Sequence, residues 1–191
     1  MLRGELDVVP RALAQVGFLF VGQRPPHLGG RAYRKHAGRD LRPGRHQRAG
    51  GYESALAAVA ARHPGRIAVR VGFNEELAHT IEAGADLFLM PSRYEPCGLS
   101  QMYSQRYGTP PIARATGGLI DTIVDGVTGF LFEAAEPDAL LAAVRRALAA
   151  YRDPARWSRI QRAAMNRDFS WAAAARPYAD LYRRLATASA R

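Results

Sequence analysis

The feature that most restricts the fold of this chain is an alternation. Ile67 to Val71, Asp86 to Met90, Pro111 to Ala113 and Phe130 to Phe132 are short apolar runs. Stretches with helical spacing separate them. Residues 53–62 read as an alanine-rich helix closed by His63, Pro64 and Gly65. Asn74 is placed to cap a helix with Glu75 and Glu76 in its first turn, Leu77 and Ile81 on its apolar stripe and Gly84 at its end. A helix is expected over about residues 99–107. Pro137 suits a first helical position, with Leu140, Leu141, Val144 and Leu148 on one face beyond it. Trp157, Ile160 and Ala164 mark another helix, and Trp171, Ala174, Tyr178, Leu181, Tyr182 and Leu185 a last one. Strands alternating with helices argue an α/β fold, a Rossmann-like parallel sheet with right-handed crossovers and flanking helices.

The N-terminal part follows a different pattern. Residues 5–21 read as a short helix followed by a strand over Gly17 to Val21. Residues 22–50 hold six glycines, three prolines and three histidines with almost no apolar periodicity, and are expected to be irregular. They carry eight of the 27 basic residues and a single acid, Asp40. The net charge of +10 is therefore concentrated in this segment, and the body from residue 51 onward is only mildly basic. The segment lacks interleaved aromatics apart from Tyr33, so polyanion or nucleic-acid binding through residues 22–50 is the lesser reading.

Cys97 is the lone cysteine, which excludes an intrachain disulfide and fits a reducing, cytoplasmic setting. No apolar run approaches the roughly 18 residues that span a bilayer, and the first residues lack a signal-peptide layout. The five histidines show no metal-ligand spacing, and His79 reads as a surface helix residue. Neither a Walker loop nor a G-x-G-x-x-G fingerprint is present.

In an open parallel sheet, ligands bind beyond the carboxyl ends of the strands. Three segments sit there: Gly72 to Asn74, Pro91 to Ser100 and Arg114 to Leu119. Phe73, between a strand end and a helix start, either stacks on a base or closes the core. Glu95 is either a hydrogen-bond acceptor for sugar hydroxyls or a solvated loop acid. Backbone N–H groups of Gly98 and Leu99 lead into a helix and can face an anion. Gly117 and Gly118 permit close backbone approach to phosphate or sugar, or simply form a turn. Cys97 has no base beside it in sequence, which argues against a nucleophilic role.

The run Gly84-Ala85-Asp86-Leu87-Phe88-Leu89-Met90-Pro91-Ser92-Arg93-Tyr94-Glu95-Pro96-Cys97-Gly98-Leu99 resembles the signature of bacterial glycogen synthases and plant starch synthases. The likeness continues through Gln101-Met102-Tyr103, Tyr107 to Pro111, Thr116 to Leu119, Asp121-Thr122, Asp125-Gly126 and Thr128 to Phe130, and through Phe169 to Tyr182. It covers about residues 51 to 186. The wording E-P-C-G-L distinguishes this family from related glycosyltransferases, whose equivalent loop usually reads E-x-F/C-G. Residues 1–21 and 51–191 are thereby expected to belong to one nucleotide-sugar-binding domain, the C-terminal half of a two-domain glycosyltransferase B-type fold.

The resemblance implies retaining transfer of glucose from ADP-glucose to the nonreducing end of an α-1,4-glucan, without a metal or other cofactor. It implies that Glu95 hydrogen-bonds the donor glucose and that Cys97, Gly98 and Leu99 line the sugar and diphosphate pocket. It places Phe73 where the family stacks an aromatic on adenine, and has Gly117 and Gly118 shape the same pocket. Tyr103 stands where the wider superfamily has the second acid of its E-x7-E motif.

The family's N-terminal domain, with its acceptor groove, glycine-rich loop and histidine, is not found in this sequence. The family's phosphate-binding Arg and Lys are matched only loosely, at Arg3-Gly4. The text of residues 22–50 reads like high-GC DNA translated in a shifted frame. Weak or absent turnover by the chain alone is the expectation. The alternatives are a nucleotide-sugar-binding half that needs a separately encoded N-terminal domain, and a polyanion-binding module. The helix from Trp171 is expected to pack on the missing domain, leaving Tyr178 and Tyr182 partly exposed.

Overall fold

The computed structural model of the protein describes residues 19–21, 46–72 and 74–189. The helix expected within residues 5–16, residues 22–45 and Phe73 lie outside the described residues. The described elements are β1 (Leu19–Val21), α1 (His46–Arg62), α2 (Glu75–Gly84), β2 (Leu87–Met90), α3 (Ser100–Arg106), β3 (Pro111–Arg114), α4 (Gly118–Thr122), β4 (Phe130–Phe132), α5 (Pro137–Tyr151), α6 (Pro154–Met165) and α7 (Trp171–Ser189).

The four strands form one sheet in the order β1-β2-β3-β4. β2, β3 and β4 are parallel, with Leu89 opposite Ile112 and Ile112 opposite Phe130. This is the parallel α/β layer that the alternation predicts. β1 departs from it, running antiparallel to β2 with Phe20 opposite Phe88.

Both faces of the parallel strands are buried, as expected where crossover helices cover each side. Successive residues of a strand point to opposite faces. Leu87, Leu89, Ile112, Phe130 and Phe132 therefore join Leu56 of α1, Leu140, Ala143 and Ala147 of α5, and Trp157 and Ile160 of α6 in one cluster. Phe88, Met90 and Ala113 join Leu119 of α4 and Ile123 in the other.

Caps follow the sequence closely. Asn74 accepts a hydrogen bond from the Leu77 N–H at 2.8 Å, and Asp153 accepts from those of Ala155 and Arg156 at 3.1 and 3.0 Å. Pro137 and Pro154 open α5 and α6, where a missing N–H costs nothing.

Two expectations are corrected. Residues 67–71 form no strand. The position beside β2 is taken by β1, and a strand needs a pairing partner more than it needs β-branched residues. Val69 still packs against the main core. Residues 46–50, expected to be irregular, are helical, because α1 begins at His46. Gly50 and Gly51 lie inside it, and each costs only about 1 kcal/mol in a helix interior. Leu56 and Val59 anchor the same helix by burial.

Candidate nucleotide-sugar site

The residues singled out in the sequence meet at the carboxyl edge of the parallel strands. β2 delivers the loop Pro91 to Leu99, and β3 delivers Ala115 to Gly117 and the start of α4. The two loops touch backbone to backbone. The Gly118 N–H donates to the Glu95 carbonyl at 3.1 Å. Gly117 has φ +49 and ψ −137, and a Cβ on it would overlap the Glu95 carbonyl oxygen. A Cβ on Gly118 would stand 2.7 Å from Cys97 Cα. A side chain at either position would push the loops apart. The glycine pair is thus the joint that sets Glu95 and Cys97 beside α4.

Arg114, the last residue of β3, holds the start of the same loop. Its Nε donates to the Ser92 carbonyl at 2.9 Å, and its guanidinium also donates to that of Arg93. The Glu95 side chain is half-buried, while Leu99 and the thiol of Cys97 are exposed. The thiol lies 3.5 Å from the Gly98 carbonyl oxygen. Glu95, Cys97, Gly98, Leu99, Gly117 and Gly118 are therefore brought together. Phe73, the remaining member of the expected set, precedes the capping residue of α2 but lies outside the described residues.

The loop's far end is tied down by a residue that the sequence marked only through the family likeness, without a role. Gln101 of α3 is fully buried. Its Nε2 lies 2.9 Å from the Cys97 carbonyl, 3.0 Å from that of Gly98 and 3.2 Å from Thr122 Oγ1. Thr122 Oγ1 donates in turn to the Gly118 carbonyl at 2.8 Å. Gln101 is the second residue of α3, and no local signal announces its burial.

A second polar cluster lies between α2 and α3. The His79 ring packs 5.0 Å from Tyr103 and 5.9 Å from Tyr107, and the Tyr107 hydroxyl is 3.4 Å from His79 Nδ1. His79 is one third exposed, at the surface as expected, and packs there against the two tyrosines. Glu82, 2% exposed, is 3.8 Å from His79 Nδ1, and burial raises its carboxyl pKa from 4.5 to about 7. Tyr103, at the position of the superfamily's second acid, belongs to this cluster.

The chain's residues 51–164 match the family model for glycosyl transferases group 1. The chain belongs to the group 1 glycosyl transferases. Within that family it is 55% identical over 139 residues to a glycogen synthase of Nitrosospira multiformis, covering 68% of this chain and 28% of that protein. It is 56% identical over 135 residues to a glycogen synthase of Myxococcus xanthus, covering 70% and 28%. The chain thus spans less than a third of the length of these relatives. Among solved glycosyltransferase structures it is similar to the catalytic domain of starch synthase IV from Arabidopsis thaliana bound to ADP and acarbose. That match has a TM-score of 0.63 and 35% identity over 71% of this chain and 30% of that one. A sucrose-phosphate synthase from Thermosynechococcus elongatus matches 98% of this chain and 44% of its own at TM-score 0.58 and 27% identity. These relatives bear out the glycogen and starch synthase likeness of the E-P-C-G-L loop.

Among the described residues, no three of His, Cys, Asp or Glu gather as a metal site, and no helix is long and apolar enough to cross a membrane.

Proposed function

We propose that the chain is the donor-binding half of an ADP-glucose-dependent glucan synthase. The observation that carries this reading is the Glu95–Leu99 loop, locked by Gly117 and Gly118 at the carboxyl edge of parallel strands, where open α/β sheets bind their ligands. The wording of that loop and the ADP-bound starch synthase relative favour adenine over uracil. Glu95 accepts hydrogen bonds from the donor glucose. Backbone N–H groups at Gly98 and Leu99 meet the diphosphate, and Cys97, Gly117 and Gly118 close the pocket. Phe73 stacks on the base.

In the reaction, the bond from the glucose anomeric carbon to the diphosphate oxygen breaks, and ADP leaves with the electron pair. The 4-hydroxyl oxygen at the nonreducing end of the α-1,4-glucan bonds to that carbon and gives up its proton to the departing diphosphate. Backbone donors fixed in advance stabilise the charge that grows on the leaving group. The acceptor groove belongs to a further domain, in the same chain or separately encoded, so residues 1–191 alone turn over slowly.

Titration calorimetry of the chain with ADP, with UDP as control, tests the reading. Saturable ADP binding is expected, weakened by Glu95→Ala and by Phe73→Ala and absent or much weaker for UDP. A folded chain that binds neither nucleotide would overturn it.

A further inference from the structure

The orientation of two successive peptide groups in the site loop is set by one buried side chain. The Cys97 and Gly98 carbonyls both point at Gln101 Nε2, at 2.9 and 3.0 Å. In a planar trans peptide, the C=O and the N–H of the same unit point in opposite directions. Turning those two carbonyls inward therefore turns the Gly98 and Leu99 N–H groups away from the buried amide. Gly98 has φ +72, and Leu99 follows with φ −112 and ψ −33. A left-handed residue followed by a right-handed one makes a concavity of successive N–H groups that suits an anion.

Thr122 Oγ1 uses its proton on the Gly118 carbonyl and so accepts from the Gln101 amide, whose two protons are shared among this hydroxyl and the two loop carbonyls. Gln105, also fully buried, donates to the main-chain carbonyls of Gln101 and Thr122 at 3.0 and 3.1 Å and does not touch that amide. A Cβ on Gly98 would overlap Gln101 Oε1, so amide and glycine fit only each other. Oε1 is buried without a hydrogen-bond partner, a cost tolerated while both N–H groups of the amide are engaged. A glutamine placed only to fill space would be replaced at lower cost by an apolar side chain of the same shape.

We propose that Gln101 is a positioning residue that holds the Gly98 and Leu99 N–H groups toward the diphosphate of the bound nucleotide. Gln101 touches no part of the ligand and acts through the loop backbone. The proposal rests on the donor-site reading above and adds the device that aligns its anion contacts. It also accounts for the need for an amide here: one nitrogen with two protons can be shared by two adjacent carbonyls and the Thr122 hydroxyl, which neither a hydroxyl nor a carboxylate can do.

The test compares Gln101→Met and Gln105→Met in the 191-residue chain. ADP is titrated by calorimetry, adenosine binding is followed by ligand-detected NMR, and the urea midpoint of each variant is measured. Gln101→Met should weaken ADP by about tenfold or more, the worth of hydrogen bonds to a charged group, and leave adenosine unchanged. Gln105→Met, which loses a buried amide of the same size but frees neither loop carbonyl, should lower the urea midpoint and leave ADP affinity unchanged. Unchanged ADP affinity in Gln101→Met overturns the proposal. Equal losses for ADP and adenosine, or an equal ADP loss in Gln105→Met, also overturn it by reducing the effect to general loosening. If Gln101→Met does not fold, Gln101→Glu keeps the shape while removing both donors at neutral pH, and the same selective loss of ADP is required of it. Absence of ADP binding by the unaltered chain refutes the donor-site reading itself, whereas binding by the unaltered chain with no change in the variant refutes the positioning role alone.

Discussion

The chain's two tryptophans stand in opposite circumstances. Trp157 of α6 is 7% exposed and meets Tyr151 edge to face at 5.2 Å, inside the main core. Trp171, the first residue of α7, is 91% exposed. Their helices show the same kind of apolar spacing. α6 buries its stripe in the main core, beside α3 and α5, while α7 leaves Tyr178, Leu181, Tyr182 and Leu185 in solvent. The difference shows that a stripe records that burial is needed and does not record against what. The body from β2 to α6 satisfies itself, and α7 ends in a face that nothing among the described residues covers, as expected for Tyr178 and Tyr182.

This contrast can be broken at its packed end first. Trp157→Ala should destabilise the chain by about 3–5 kcal/mol, the usual cost of emptying an aromatic site in a core. Urea denaturation followed by circular dichroism measures it, and a loss below about 1 kcal/mol would mean that α6 is not part of the cooperative unit.

The joint of the site belongs to the same packed body. Gly117→Ala forces a Cβ into the Glu95 carbonyl at a backbone angle that side chains rarely adopt. Roughly 2–3 kcal/mol of stability should be lost, together with nucleotide binding. The paired urea and calorimetric measurements sharpen the comparison, because no single substitution on the exposed face of α7 should do both.

Glu82 tests the packed body through pH. Its folded carboxyl titrates near 7, above the ordinary 4.5. The protonated form is favoured by folding, so its contribution to stability is complete below about pH 4.5 and is lost as pH rises through about 7. At pH 8, Glu82→Gln should be more stable than the unaltered chain by roughly 1–3 kcal/mol, an advantage that vanishes by pH 4. Urea midpoints across this range check the sign, and equal midpoints at pH 8 would show that His79 or solvent already satisfies the carboxylate.

The smallest effect is expected at the exposed end. Trp171→Ala should change stability by no more than about 0.5 kcal/mol. A loss of several kcal/mol in the same urea assay would mean that α7 is covered in solution.

These differences explain what the sequence disclosed and what it hid. The helix cap at Asn74 and the proline opening α5 were legible because their chemistry is local. The loop from Glu95 to Leu99 was legible through its wording and its place after β2. The failed strand at residues 67–71 and the antiparallel β1 were not, because pairing depends on which neighbour reaches an edge first. Gln101 and Thr122 entered only through the family likeness and Arg114 only as the start of a segment, and their roles were hidden for a related reason. Each is polar and sits on an ordinary helix or strand position, and its role appears only when a distant loop presents its carbonyls. The packing of His79 against Tyr103 and Tyr107 is equally nonlocal.

The order of strands in the sheet also bears on how the chain assembles. β2 pairs with β3 and β3 with β4, so the parallel ladder is built between strands adjacent in the chain. A ribosome-bound chain can complete it once Phe132 has emerged. β1 is the exception, since the whole stretch from Val21 to Leu87 must be bridged before it docks. Its amides should therefore exchange with deuterium ahead of those of β3, which makes β1 the last strand of the sheet to lock and the first to let go.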